Sequence, residues 1–181
     1  MLAQRQSGQD GASAGFSLIE LLVVVAIILI VAAIAIPNIL RARQAANEAA
    51  GVENVRTVTT ASMSYYSTYG NGYPPSMATL GPAGGIAATC DQADLIDSVI
   101  ALPPNTKSGY IYAYTGDIGP VTAPAGCSAP GFQGYLITAT PTLVGTTGQR
   151  SFCSTEPAVI HYDPNGGPIA SSATCNSLPN L

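Results

Sequence analysis

The sequence predicts an α+β fold in which a long, kinked N-terminal helix packs on a small antiparallel β-sheet domain. Three observations predict it. Phe16 to Ile36 is a run of twenty-one residues with a single charge, Glu20. Asn38 to Tyr69 contains no proline and much alanine. Three strand-like runs separated by Gly and Pro clusters follow.

The apolar run is long enough for a membrane span: twenty-one helical residues at ~1.5 Å each cover the ~30 Å hydrocarbon core of a bilayer. Glu20 lies only four positions into it, and a carboxylate facing lipid is costly, so an intramembrane acid is by default functional and partnered. The nearest basic residues are Arg5 and Arg41, so the neutralising cation comes from elsewhere. A cut between Gly15 and Phe16 would supply one, because the new α-amine of Phe16 has an intrinsic pKa near ~7.7 to 8.0. It lies one turn from Glu20 in its own chain and within reach of the Glu20 of a staggered parallel neighbour.

Pro37 deprives the Ala33 carbonyl of its helical partner and bends the helix without stopping it. Beyond it, Val52, Val55, Thr59, Ser62, Tyr66 and Tyr69 recur at spacings of three and four and form a stripe that packs on a sheet. Glu48, Glu53 and Arg56 fall elsewhere on that helix surface. The whole helix, residues 16–69, would measure ~80 Å, too long for a compact domain of this size. Gly70-Asn-Gly-Tyr-Pro-Pro75 ends it.

Ser76 to Thr89 reads as a connection over the surface. Asp91 and Asp94 then offer a start for a helix of one to two turns through Ile100, stopped by Pro103-Pro104. Strands are predicted at Tyr110 to Thr115, Gly134 to Thr140 and Ser151 to Tyr162, the last interrupted at Pro157. Tyr110, Tyr112 and Tyr114 share one face of the first, and Tyr135, Ile137 and Ala139 one face of the second. Gly116 to Pro130 and Pro141 to Gly148 supply connections. The domains are therefore residues 1–15 as a leader, 16–69 as the long helix with 16–36 as its span, and 70–181 as the globular part.

Cys90, Cys127, Cys153 and Cys175 all follow the apolar run, on the side that would be exported and oxidising. They are expected to form two disulfides. Of the three connectivities, the sequential one, Cys90 with Cys127 and Cys153 with Cys175, closes the shortest loops. No Cys-x-x-Cys occurs and His161 is the sole histidine, so no metal and no cofactor are expected. Asp163-Pro-Asn-Gly-Gly167 has oxygen donors but fits no calcium spacing and reads as a hairpin turn.

The chain is 47% hydrophobic and 9% charged, with net charge −4. After Arg56 only Lys107 and Arg150 are basic, which disfavours nucleic acid as a partner. No nucleophile elbow, paired carboxylates or phosphate loop can be read, and His161 has no acid-base partner, so the chain is not expected to be an enzyme.

Gly15-Phe-Ser-Leu-Ile-Glu20, followed by the apolar run and Pro37, resembles the type IV pilin and pseudopilin signature. The resemblance is strong over Phe16 to about Tyr69 and weaker beyond. It implies cleavage after Gly15 by a prepilin peptidase, N-methylation of Phe16, Glu20 and Pro37 as assembly residues, and a helix that serves first as membrane span and then as filament core. The implied partners are copies of the chain in a helical filament, the peptidase and the inner-membrane assembly machinery. The location would be the inner membrane and then an extracellular pilus. A periplasmic pseudopilus of a type II secretion system is the alternative, since Gly72-Tyr73-Pro74 occurs in both groups; DNA-uptake pilins also exist in the family, but the basic stripe they need is missing.

The sequence departs from the family in its leader, where Arg5 is the only basic residue. Arg41 and Arg43, on the far flank, would by charge counting favour that flank staying inside, so orientation follows from the resemblance. The competing readings are a secretory signal peptide cut near Ala33-Ile-Ala35, against which stand the long apolar core and Glu20, and a single-span anchor for a binding domain or a secreted enzyme.

Overall fold

The computed structural model describes residues 15–181. The predicted leader, residues 1–15, thus lies outside the described residues except for Gly15. The chain forms two compact units, one ending at Ile39 and the other comprising Leu40–Leu181. Helix α1, Leu18–Tyr69, runs unbroken with Pro37 inside it. Its apolar part has a mean hydropathy of 3.3 and no buried residue in its most apolar window.

In the second unit the helix stops where the chain runs out of conventional backbone: Gly70 adopts φ +62°, and its N–H reaches the Tyr66 carbonyl at 3.1 Å, a left-handed cap that glycine makes without steric penalty. Gly72 has a stricter requirement, since a Cβ there would lie 2.5 Å from the Phe132 carbonyl oxygen.

The sheet is an antiparallel meander in the order β1 (Thr106–Lys107), β2 (Tyr110–Pro120), β3 (Phe132–Pro141), β4 (Ser151–Thr155) and β5 (Ile160–Asp163). Each run alternates faces, as predicted for Tyr110, Tyr112 and Tyr114, while Ile111 stays exposed. One face meets Val55, Val58, Ala61 and Tyr65 of α1, with Tyr110, Tyr112, Tyr135, Ile137, Ala139 and Phe152 in the same core. The other face is partly covered by the C-terminal segment, where Leu136 and Cys153 pack on Ile169, Cys175 and Leu178. All five residues of β4 are buried as a result.

Several expectations are corrected. Of the expected stripe, Val55, Thr59 and Ser62 are buried and Val52 and Tyr69 pack against the core, but Tyr66 is 52% exposed, and Val58, Ala61 and Tyr65 complete the buried face. Glu48 does not stand on the free surface but is tied to Gln149 and Arg150. The expected surface connection contains α2 (Met77–Leu80), capped by Ser76, with Met77 and Leu80 buried. Helix α3 is Ser98–Ala101, and its cap is Asp97, whose carboxylate accepts the N–H groups of Val99 and Ile100. Asp91 instead accepts Ser128 N–H and Oγ–H, and residues 93–96 bond to the Thr79–Gly81 carbonyls.

Gly116–Pro120 belongs to β2, with a bulge between Asp117 and Pro120, rather than to a connection. The Ser151 to Tyr162 run is two strands, paired Phe152 to Tyr162 and Cys153 to His161, because Pro157 falls in the turn between them. Asp163–Gly167 is not a hairpin turn, since no strand follows; the Asp163 carboxylate accepts the N–H groups of Asn165 and Gly167. A last helix, α4 (Ser172–Ser177), delivers Cys175 to β4.

The cysteines are joined sequentially, Cys90 to Cys127 and Cys153 to Cys175. The second bridge is fully buried and pins the C-terminal segment on the sheet. His161 Nδ1 lies 2.8 Å from the Leu178 carbonyl, and the Tyr162 N–H donates to the Pro179 carbonyl, so the tail also extends the β5 edge.

Candidate processing site at the N-terminus

Gly15, Phe16 and Ser17 precede the helix and have no regular structure, which leaves the Gly15–Phe16 bond outside the helix. A Cβ built on Gly15 would meet nothing within 4 Å. The packing of the described residues therefore places no demand for glycine at this position.

Ser17 and Glu20 form a reciprocal helix start. The Ser17 carbonyl accepts the Leu21 N–H at 3.2 Å, and the Glu20 carboxylate turns back to accept the Ser17 N–H at 2.9 Å. This is half of a capping box, and it satisfies a backbone donor that would otherwise be orphaned in an apolar setting. The Ser17-x-x-Glu20 spacing is its sequence signal. Glu20 is thus the acid of the first turn, where the helix dipole favours a negative charge.

Below it, Leu18, Ile19, Leu21, Leu22 and the Val and Ile residues to Ile36 are exposed on every side of the helix. At the other end of the run, Asn38 Nδ2 donates to the Ile34 carbonyl at 3.0 Å. Pro37 follows directly on the apolar run and stands within a helix that continues past it. Gly15, Phe16 and Glu20 therefore lie together at one helix start, while Pro37 marks the far end of the apolar run. The four cysteines lie in the other unit, joined in two disulfides.

Residues 11–36 match a family model, the prokaryotic N-terminal methylation motif. The chain carries the leader signature of type IV pilins and pseudopilins. The motif implies processing by a prepilin peptidase, and together with the apolar helix it fits a membrane-anchored precursor. Neither a curated protein nor a solved structure matches the chain.

Elsewhere, no group of three or more His, Cys, Asp or Glu side chains converges among the described residues. The buried ionisable groups of the domain are mainly tyrosines. Loss of solvation raises the pKa of Tyr65, Tyr110, Tyr112, Tyr114 and Tyr135, and pushes Tyr73 up to about 12. This is the pattern of a packed core.

Proposed function

We propose that this chain is a structural subunit of a type IV pilus-like filament, without catalytic activity of its own. The observation that supports the reading best is the wholly exposed apolar helix carrying the methylation motif. Such a surface needs lipid or other apolar helices around it, since water would leave its Val, Ile and Leu side chains unburied. Cleavage after Gly15 and N-methylation of Phe16 give the mature end. The helix of the released subunit then exchanges lipid for neighbouring helices, with Pro37 allowing it to bend as it packs.

Glu20 is the residue on which assembly turns. In the separate subunit its carboxylate caps its own helix; in the filament it neutralises the Phe16 amine of a neighbour. Leaving one partner of a desolvated pair alone costs on the order of 3 to 5 kcal/mol. Glu20→Ala is therefore expected to leave span insertion and both disulfides intact, while processed monomer accumulates in the inner membrane with few or no filaments. Wild-type filament yield from Glu20→Ala cells, counted by electron microscopy, refutes the role. Recovery of the polymer from the cell surface supports a pilus, and confinement to the periplasm supports the pseudopilus of a secretion system.

A further inference from the structure

We propose that Arg41 and Arg43 form a lipid-phosphate binding collar at the exported end of the span. This rests on the membrane-resident precursor of the proposed function. Every other cation among the described residues has a carboxylate in its own chain: Arg56 pairs with Glu53 at 3.3 Å, Lys107 with Asp97 at 2.7 Å and Arg150 with Glu48 at 2.8 Å. Arg41 and Arg43 are exposed, and no described carboxylate pairs with either.

Their axial position matches the phosphate layer. Both belong to α1, five and seven residues beyond Ile36, which is about 8 and 10 Å at ~1.5 Å per residue. The headgroup region on each side of the hydrocarbon core is roughly 5 to 8 Å thick, and an arginine side chain can reach back several ångströms into it. With the apolar run filling the core, the two guanidinium groups fall among the phosphates. The next charge along the helix, Glu48, is already engaged by Arg150.

Their angular position separates lipid from protein as the occupant. Two residues apart on an α-helix means about 200° apart around it, so the pair points to opposite sides. A neighbouring helix presents its acids along one face, whereas a headgroup layer surrounds the helix. Guanidinium also suits phosphate, which it can grip with two parallel N–H···O bonds. Arginines on an exported flank count against that orientation, and phosphate binding gives them a use there.

The test is carbon–phosphorus dipolar dephasing by solid-state NMR on the full chain, labelled at the arginine ζ-carbon, in vesicles of phosphatidylethanolamine and phosphatidylglycerol. Subtracting the spectrum of Arg41→Gln/Arg43→Gln isolates the two carbons. Expected is dephasing by lipid phosphorus that disappears in the double variant and survives in Arg41→Lys/Arg43→Lys with a lysine ζ-nitrogen label. A carbonate-resistant chain with no arginine dephasing overturns the collar while leaving the span intact, and contacts to protein carboxylates in place of phosphorus overturn it in favour of a neighbouring subunit. Extraction of the wild-type chain by carbonate overturns the membrane reading itself.

Discussion

The Glu48 carboxylate and the Arg150 guanidinium meet in two contacts, 2.9 Å to Nε and 2.8 Å to Nη2, and so fasten α1 to the start of β4 across 102 residues of sequence. The other Glu48 oxygen accepts the N–H groups of Gln149 and Arg150 at 2.8 and 3.3 Å. Arg150 in turn lies over the rings of Phe152 and Tyr162. Further along the same face, Asn47 donates to the Thr147 carbonyl and Asn54 to the Tyr112 hydroxyl. The helix is held to the sheet by a polar seam beside its apolar core.

Breaking this clasp should weaken the domain. Burial would raise the Glu48 pKa, but hydrogen bonds from Gln149 and Arg150 and the Arg150 charge outweigh it and hold the carboxyl below its usual value. Asp97 is likewise held down, chiefly by Lys107. Groups with depressed folded pKa values stabilise above the unfolded carboxylate range and lose that contribution as pH falls through their folded values. Stability from urea unfolding should therefore fall below about pH 4. Glu48→Gln should cost about 1 to 2 kcal/mol at pH 7 and flatten the acid decline. An unchanged pH profile in that variant would show that the clasp carries no charge-dependent stability.

The buried tyrosines predict the opposite limb. Their raised pKa values mean that burial of the neutral phenols stabilises fully below their unfolded value near ~10 and is lost as pH rises through the folded values. Absorbance of phenolate near 295 nm should show six of the nine tyrosines ionising together with loss of tertiary circular dichroism. Smooth ionisation of all nine while the fold persists would contradict the packing described for the core.

The Cys153–Cys175 bridge should matter more for the tail than for the sheet. Replacing both cysteines with alanine removes a closed loop of sequence separation 22 and should cost about 2 to 4 kcal/mol. Protease cutting should then appear first around residues 164–178, because Ile169 and Leu178 lose their anchor over Leu136. Uniform loss of protection across all strands would show that the bridge holds the whole sheet.

Local signals in the sequence carried the long apolar helix, the glycine cap at Gly70, the alternation of Tyr110 to Tyr114 and the sequential cysteine pairs. The errors arose where neighbouring candidates were chemically equal. Spacings of three and four fit a stripe through Tyr66 as well as one through Tyr65 when Ser, Thr and Tyr crowd both, and only the sheet decides between them. Asp91, Asp94 and Asp97 are all competent caps, but Asp91 is taken by Ser128 and Asp94 sits at φ +53°. The Glu48–Arg150 clasp was out of reach because it joins residues so distant in sequence. The Glu20 cap was within reach, in the Ser17-x-x-Glu20 spacing.

The central claim is that this chain matures by a cut after Gly15 and then polymerises, and a side chain at Gly15 would touch no other described residue. The most direct measurement is intact-mass and N-terminal analysis of sheared filaments from wild-type cells, with Gly15→Leu cells beside them. The account predicts a mature chain beginning at N-methylated Phe16 in the wild type, and uncut, disulfide-bonded, membrane-bound precursor without filaments in the variant. A subunit that retains residues before Phe16 or begins at Ile36, or normal filaments from Gly15→Leu, would contradict it.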